Sequence, residues 1–175
     1  LDNQAIKKLP LNKPLIFKNL AGPIQAVQGW DWDHLISVMG NADQPYTDTF
    51  STNSFNSGIK NSKEIFMNLL SNNPQFSIMF GDILTKNNEL MADLQAEKWI
   101  NLKAFTFKLN KSWKFFAAGK GRNTNLHCEL GNGIIIQVLG KKKWTIFSPK
   151  FSAFVYPKIN WKMYIESAKF PDFSK

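Results

Sequence analysis

The chain has 175 residues and a mass of 20.0 kDa, a length that fits one domain or one large part of a domain. Hydrophobic residues make up 43% and charged residues 20%, which excludes a wholly disordered protein. The formal net charge of +9 would favour acidic partners such as nucleic acid or an acidic peptide. The lysines are spread along the chain, however, and a solvated basic surface is the simpler interpretation.

The single cysteine, Cys128, excludes an internal disulfide and a cysteine-rich zinc site. No apolar run approaches the roughly 20 residues that a membrane span needs, and the first residues do not resemble a signal peptide. We therefore expect an intracellular protein, cytoplasmic or, in a eukaryote, nuclear, with no membrane partner.

The first part of the chain mixes strand and helix signals. Leu15, Ile16 and Phe17 follow a proline and predict a short strand. Asp31 and Gly40 bracket apolar residues at helical spacing, and they predict a capped helix over residues 30–40.

Polar and small residues dominate the next stretch, residues 41–61, which we predict to be a loop with short pieces of strand. Two further helices are predicted over residues 62–70 and about 87–97. These elements define an α/β N-terminal region, which we assign to residues 1–98.

Beyond residue 98 the pattern is typical of strands. Alternation over residues 105–109 and short apolar runs predict four strands in an antiparallel sheet or barrel. The predicted strands cover residues 105–109, 114–119, 133–140 and 143–149. Residues 99–175 are the second predicted region, and they include the motif that carries the chemistry.

That motif is His127-Cys128-Glu129. Residues two apart on a strand share a face, so the His127 imidazole and the Glu129 carboxylate would project together, while Cys128 would lie on the other face as a small buried residue. Such a pair can bind one metal ion, and non-haem Fe(II) oxygenases use it with a second histidine. By itself the His-x-Glu pattern is weak, because any histidine two positions from an acid matches it.

Residues 115–149 as a whole resemble the JmjC-type, cupin-like hydroxylases. They are most similar to the branch that contains the asparaginyl hydroxylase inhibiting hypoxia-inducible factor. That family shows Thr-x-x-His-x-Asp, an apolar strand ending in Gln-x-x-Gly, a basic turn, and an aromatic-rich strand closing with Phe-x-Pro. The matching segments here are Thr124–Glu129, Ile134–Gly140, Lys141–Trp144 and Ile146–Pro149.

The resemblance implies a mainly β fold, a double-stranded β-helix or jelly roll, preceded by the α/β region. It implies that His127 and Glu129 ligate Fe(II), and that Thr124 and Lys142 bind the far carboxylate of the cosubstrate 2-oxoglutarate. On a regular strand Lys141 and Lys143 would point away from Lys142, towards solvent.

The chain departs from the family pattern in two places. Glu129 stands where the family usually has Asp, and no residue matches the distal histidine of the family. His34, the other histidine, falls in the first predicted helix, where a packed or solvent-facing role is expected. We therefore expect the chain to hold only the first half of the barrel, either as part of a longer protein or as a natural truncation.

The sequence thus predicts an Fe(II)/2-oxoglutarate-dependent dioxygenase acting as a protein side-chain hydroxylase, provided that the full-length protein supplies the distal histidine. The alternative is a non-catalytic cupin-like binding module without a complete iron site. The expected partner is a protein or peptide substrate; a nucleic-acid partner for the basic surface is the weaker prediction, and a homodimer stays open.

Overall fold

The computed structural model describes residues 13–19, 21–48, 57–95, 113–124, 126–129, 133–155, 157–160 and 164–167. The chain divides into two compact units, Leu1–Lys120 and Gly121–Lys175, which we call unit 1 and unit 2. The predicted boundary between residues 98 and 99 falls outside the described residues and stays a prediction.

The described residues of unit 1 include four short helices, and capping side chains mark the starts of three of them. Asp31 accepts a hydrogen bond from the His34 amide at 2.7 Å, and Asn61 and Asn87 cap the later helices in the same way. These caps satisfy amides that lack a partner within the helix. The helices are α1 (Gln25–Gly29), α2 (Trp32–Met39), α3 (Ser62–Leu69) and α4 (Asn88–Asp93), with a 3-10 turn at Ile83–Lys86.

The same unit holds a four-stranded antiparallel sheet in the order β2-β1-β3-β4. Its strands are β1 (Asp43–Asp48), β2 (Gly58–Asn61), β3 (Phe76–Gly81) and β4 (Phe115–Ala118). Along β4 the side chains alternate between buried and exposed, with Phe115 and Ala117 inside. One face of β4, which is an edge strand of the described sheet, therefore packs against the core.

The core of unit 1 forms where α3 meets α2 and β4. Phe66 is fully buried, and its ring lies 5.8 Å from Trp32 and 6.3 Å from Phe115, both in tilted or edge-on arrangements. Such ring pairs add to the burial of apolar area. This aromatic cluster joins helices and sheet that are far apart in the chain.

Two interactions fix the connections around β3 and β4: the hydrogen bonds of the Asn68 side chain and the close approach of Gly119 to Pro74. The Asn68 side-chain oxygen accepts hydrogen bonds from the amides of Gln75 and Phe76, both at 2.9 Å, so α3 holds the start of β3. After β4, a Cβ atom added to Gly119 would lie 2.3 Å from the Pro74 ring, so the backbone passes too close for any side chain.

Unit 2 contains a three-stranded antiparallel sheet in the order β5-β7-β6. The strands are β5 (His127–Glu129), β6 (Pro157–Asn160) and β7 (Tyr164–Ser167), and a 3-10 turn covers Pro149–Val155. Where the structure describes side chains between 121 and 155, none is buried.

Several predicted elements are confirmed. The capped helix appears as α2, the second helix as α3, and the strand predicted over residues 114–119 as β4. The third helix is shorter than predicted, because α4 ends at Asp93 and Gln95 then adopts a positive φ of 49°. The strand predicted over residues 105–109 lies outside the described residues.

Other predictions are wrong. Residues 15–17 form no strand. The short pieces of strand predicted within residues 41–61 are present as β1 and β2, but β1 is a six-residue strand rather than part of a loop. The strands predicted over residues 133–140 and 143–149 are absent, and several of their apolar side chains, such as Ile135 at 62% exposure, are exposed. A strand needs a partner in register, and neither segment pairs with a described strand.

The described architecture is therefore antiparallel sheet with helices, which is compatible with the predicted fold class. None of the described helices has the length and apolar character needed to cross a membrane.

Candidate functional site

Strand β5 carries the two predicted metal ligands. It consists of His127, Cys128 and Glu129, so positions 127 and 129 fall on one face of the sheet and position 128 on the other. The structure therefore brings the predicted pair to one face. His127 is half-buried there.

The antiparallel pairing of β5 with β7 sets the neighbours of this pair. His127 lies opposite Glu166, and Glu129 lies opposite Tyr164. Strand β6 extends the same rows, with Lys158 opposite Glu166 and Asn160 opposite Tyr164. Directly opposite residues share a face of the sheet, so every position on this face carries a polar or ionisable residue.

The other face of the sheet is more apolar. Cys128 lies opposite Ile165, which in turn lies opposite Ile159, and Pro157 lies opposite Ser167. By sequence, the sheet therefore has one polar face and one mostly apolar face. Cys128 itself is exposed, so the expectation of a buried role is wrong.

Thr124, predicted to bind the cosubstrate, is exposed and lies three residues before His127. The turn that leads to it contains Gly121, whose φ of 83° is a conformation that L-residues rarely adopt. The turn therefore ends β4 and starts the approach to β5.

Lys142, the other predicted cosubstrate residue, lies outside any strand, in the exposed segment of residues 133–148. The prediction that Lys141 and Lys143 point away from Lys142 assumed a regular strand, which is absent here. All three lysines are exposed. The Lys142 Nζ atom lies 4.2 Å from the centre of the Trp144 ring. Partial burial lowers the pKa of the Lys142 amine, although contact with a ring face favours the charged form.

The other histidine of the chain lies in unit 1. His34 belongs to α2, where its ring stacks on Trp30 at 6.5 Å and its Nε2 atom lies 3.7 Å from a carboxylate oxygen of Asp93. That oxygen also accepts a hydrogen bond from the Trp30 indole at 2.8 Å. His34 is therefore packed, which is one of the two roles expected from the sequence.

The donor types of His127 and Glu129, one imidazole and one carboxylate, suit Fe(II). Among the side chains that the structure describes, no group of three or more His, Cys, Asp or Glu could hold a metal ion. The pair therefore fits two places of a three-ligand iron site.

Sequence reasoning missed the residues on β6 and β7 that share the polar face. No strand is predicted from the sequence beyond residue 149. The alternations Lys158-Ile159-Asn160 and Tyr164-Ile165-Glu166 were the available signal. The register that brings them to His127 is a long-range property that no local pattern contains.

Comparison with known proteins gives the family. A family model described as a cupin-like domain matches residues 7–174, which is nearly the whole chain. No curated protein and no solved structure matches it. The family match spans both units and includes β5 with its polar face, and the chain therefore belongs to the family of cupin-like domains.

Proposed function

We propose that this chain is the iron- and cosubstrate-binding part of an Fe(II)/2-oxoglutarate-dependent dioxygenase that hydroxylates a protein side chain. The observation that carries the proposal is the placement of positions 127 and 129 on one face of β5, within a chain that belongs to the cupin-like family. The jelly-roll barrel and the likeness to the asparaginyl hydroxylase branch belong to the same proposal.

In this proposal the His127 imidazole and the Glu129 carboxylate hold Fe(II). When bound, Fe(II) would supply the redox chemistry that couples decarboxylation of 2-oxoglutarate to hydroxylation of a C–H bond. A ligand set of three leaves positions open for cosubstrate and oxygen.

Thr124 and Lys142 would bind the far carboxylate of 2-oxoglutarate. A dicarboxylate that leaves water needs a cation and a hydrogen-bond donor, because its desolvation is otherwise uncompensated. The Lys142 ammonium supplies the charge and the Thr124 hydroxyl donates the hydrogen bond. Both residues lie in unit 2 with His127.

The decisive experiment is a titration of the longest natural form of the protein with Fe(II), or with Mn(II) as its substitute, with and without 2-oxoglutarate. His127→Ala should abolish metal binding, whereas His34→Ala, which removes the other histidine of the chain, should leave it intact. Succinate should then form on addition of oxygen. A protein that binds no metal in any form would contradict the dioxygenase.

The second candidate function is a non-catalytic cupin-like binding module. It is favoured by the lack of a third ligand among the side chains that the structure describes and by Glu129 in place of the usual Asp. Metal-independent binding of a protein partner, unchanged in His127→Ala, would support the module, whereas succinate formation would exclude it.

A further inference from the structure

The 3-10 turn of unit 2, Pro149–Val155, which we call the aromatic turn, holds two phenylalanine rings in solvent. Phe151 is 45% exposed and Phe154 is 72% exposed. Their ring centres lie 6.5 Å apart, with an angle of 56° between the ring planes. Two neighbouring rings leave apolar area in water, and a partner that covered them would gain the free energy of its burial.

Hydrogen bonds within the chain hold the aromatic turn in this conformation. The Phe151 amide donates to the Ser148 carbonyl oxygen at 2.9 Å, and the Ser152 hydroxyl donates to the Pro149 carbonyl oxygen. The ring of Pro149 also fixes its own φ angle. The two exposed rings are therefore presented on a preorganised turn, which lowers the entropic cost of binding a partner.

The aromatic turn lies in a strongly basic part of the chain. From residue 130 to residue 165 the sequence contains six lysines and neither aspartate nor glutamate. Unit 2 has nine lysines and arginines against three acids, so it carries +6 of the net charge of +9. Every residue from 140 to 154 is exposed, and the Lys150 Nζ atom lies 4.9 Å from the centre of the Phe151 ring. Exposed rings and positive charge thus occur together on the aromatic turn.

This combination fits a partner that is both apolar and negatively charged. Phosphate groups are bound best by the planar fork of an arginine, and the sequence contains no arginine after Arg122. A lysine ammonium is a compact charge on a flexible stem, which suits carboxylates spread along a peptide. The lysine-only composition therefore favours an acidic peptide segment over a nucleic acid.

We propose that the aromatic turn docks an acidic segment of the protein substrate. An apolar side chain of that segment covers the Phe151 and Phe154 rings, while its carboxylates lie near Lys150. The inference rests on the proposed function, because only that function makes the partner a substrate. The aromatic turn contains none of the residues assigned to metal or cosubstrate, so docking and chemistry can be measured separately.

The competing explanation is self-association, in which the rings of one chain pack against those of a second copy. Two copies of unit 2 would bring like charges together, and salt would strengthen such a contact by screening their repulsion. Salt weakens an attraction between lysines and carboxylates. The salt dependence of binding therefore distinguishes the two explanations.

The test is a fluorescence anisotropy titration of the 175-residue chain with a labelled peptide that alternates glutamate and leucine. Phe151→Ala and Phe154→Ala should each weaken binding by more than about fivefold, the effect that marks an important interface residue. Phe116→Ala removes a 46% exposed ring from β4 in unit 1, and it should leave the affinity unchanged. Phe154→Trp keeps an aromatic ring and should bind like wild type.

A second matched pair tests the charge. Lys150→Glu should weaken peptide binding by about two- to fivefold, as expected for the loss of an exposed ion pair. Lys86→Glu makes the same charge change at an exposed lysine in the 3-10 turn of unit 1, and it should not weaken binding. The two variants have the same net charge, so a difference between them reports the place of the charge. A peptide with glutamine in place of glutamate should bind more weakly than the acidic peptide.

Several outcomes would overturn the docking site. They are binding that strengthens with salt, equal losses in Lys150→Glu and Lys86→Glu, or equal affinity for the glutamate and glutamine peptides. Tighter binding of single-stranded oligothymidine than of the acidic peptide, weakened by the same substitutions, would also overturn it in favour of a nucleic acid.

The proposed function is judged by a separate measurement. His127→Ala should lose metal and keep peptide binding. If wild type binds the peptide but no metal, the docking site stands and the dioxygenase fails, which leaves the non-catalytic binding module. If wild type binds metal but not the peptide, the docking site alone fails.

Discussion

The described side chains of unit 1 and of unit 2 differ in their burial. The four-stranded sheet packs against helices, and its core contains fully buried residues such as Phe66 and Ile78. In unit 2 no described residue between 121 and 155 is buried, and apolar side chains such as Phe154, at 72% exposure, face solvent. Unit 1 contains the described hydrophobic core, whereas unit 2 contains the candidate chemistry.

Because the described core lies in unit 1 and the candidate site in unit 2, stability and function should respond to different substitutions. Apolar burial is the dominant favourable contribution to folding, so changes in unit 1 should affect unfolding. In the proposed function, metal and cosubstrate bind through a few polar groups of unit 2, so changes there should affect binding. The predictions below test that division, beginning with the largest effect.

The aromatic core should be the most sensitive part of the chain. Phe66→Ala removes a fully buried ring that contacts Trp32 and Phe115, and it should lower the free energy of unfolding by about 3–5 kcal/mol. Phe154→Ala, the matched change at an exposed ring of unit 2, should alter it by less than about 0.5 kcal/mol. Urea unfolding measures both, and equal effects would contradict the division.

Cosubstrate binding should depend on one lysine of three. Lys142→Met should weaken 2-oxoglutarate binding by about 1.5–3 kcal/mol, which is typical of a hydrogen bond to a charged group. Lys143→Met removes an equally exposed charge from the neighbouring position and should have little effect. Calorimetry on the metal-loaded protein measures both affinities, and similar losses would indicate a diffuse electrostatic attraction instead.

The connection from α3 to β3 should have an intermediate effect. Asn68→Ala removes the acceptor of two backbone hydrogen bonds, from Gln75 and Phe76, and should cost about 1–2 kcal/mol of unfolding free energy. Asn68→Asp keeps the acceptor and should retain most of the stability. Metal binding should be unchanged in both variants, and a loss of metal affinity would show that the two units are energetically linked.

The pKa values of Lys60 and Lys142 should be shifted in opposite directions from the usual lysine value. Of the predicted effects on stability, theirs should be the smallest. A hydrogen bond to Glu64 raises the pKa of Lys60 in unit 1, while partial burial lowers the pKa of Lys142 in unit 2. The contribution of Lys60 to stability is fully present at pH values below the pKa of Lys60 in the unfolded chain. It is lost as the pH rises through the pKa of Lys60 in the folded protein. For Lys142 the sign is reversed, because its charged form is disfavoured in the folded state.

NMR of ¹³C-methylated lysines measures these titrations directly. The resonance that disappears in Lys142→Arg should titrate at lower pH than the one that disappears in Lys60→Arg. Coincident titrations would mean that neither the Glu64 hydrogen bond nor the burial of Lys142 persists in solution.

The sequence predicted those parts of the fold that depend on neighbouring residues. Asp31 and Gly40 bracket α2 as expected, and the short apolar run that begins at Phe115 predicts β4. Capping and periodicity are local, so they can be read without knowing the fold. The shared face of positions 127 and 129 also follows from a local spacing, but the role of His127 and Glu129 as metal ligands is implied by the family resemblance and stays a prediction.

The failures concern pairing between distant segments. Residues 133–140 have strong strand propensity, yet no described strand lies beside them. By contrast, Pro157–Asn160 and Tyr164–Ser167 pair into a sheet with β5, although neither segment is predicted to be a strand. Strand propensity reflects how a residue suits a pleated surface, and it does not specify which segment supplies the neighbouring strand.

The two glycines around the junction of the units should differ in a saturation mutagenesis library. At position 119 every side chain, alanine included, meets the Pro74 ring, so the library should retain glycine alone. At position 121 there is open space, and only the φ of 83° restricts the choice. Asparagine and aspartate adopt that backbone conformation more readily than other residues, so they should survive selection there. Neighbouring glycines would thus be kept by contact in one case and by backbone conformation in the other.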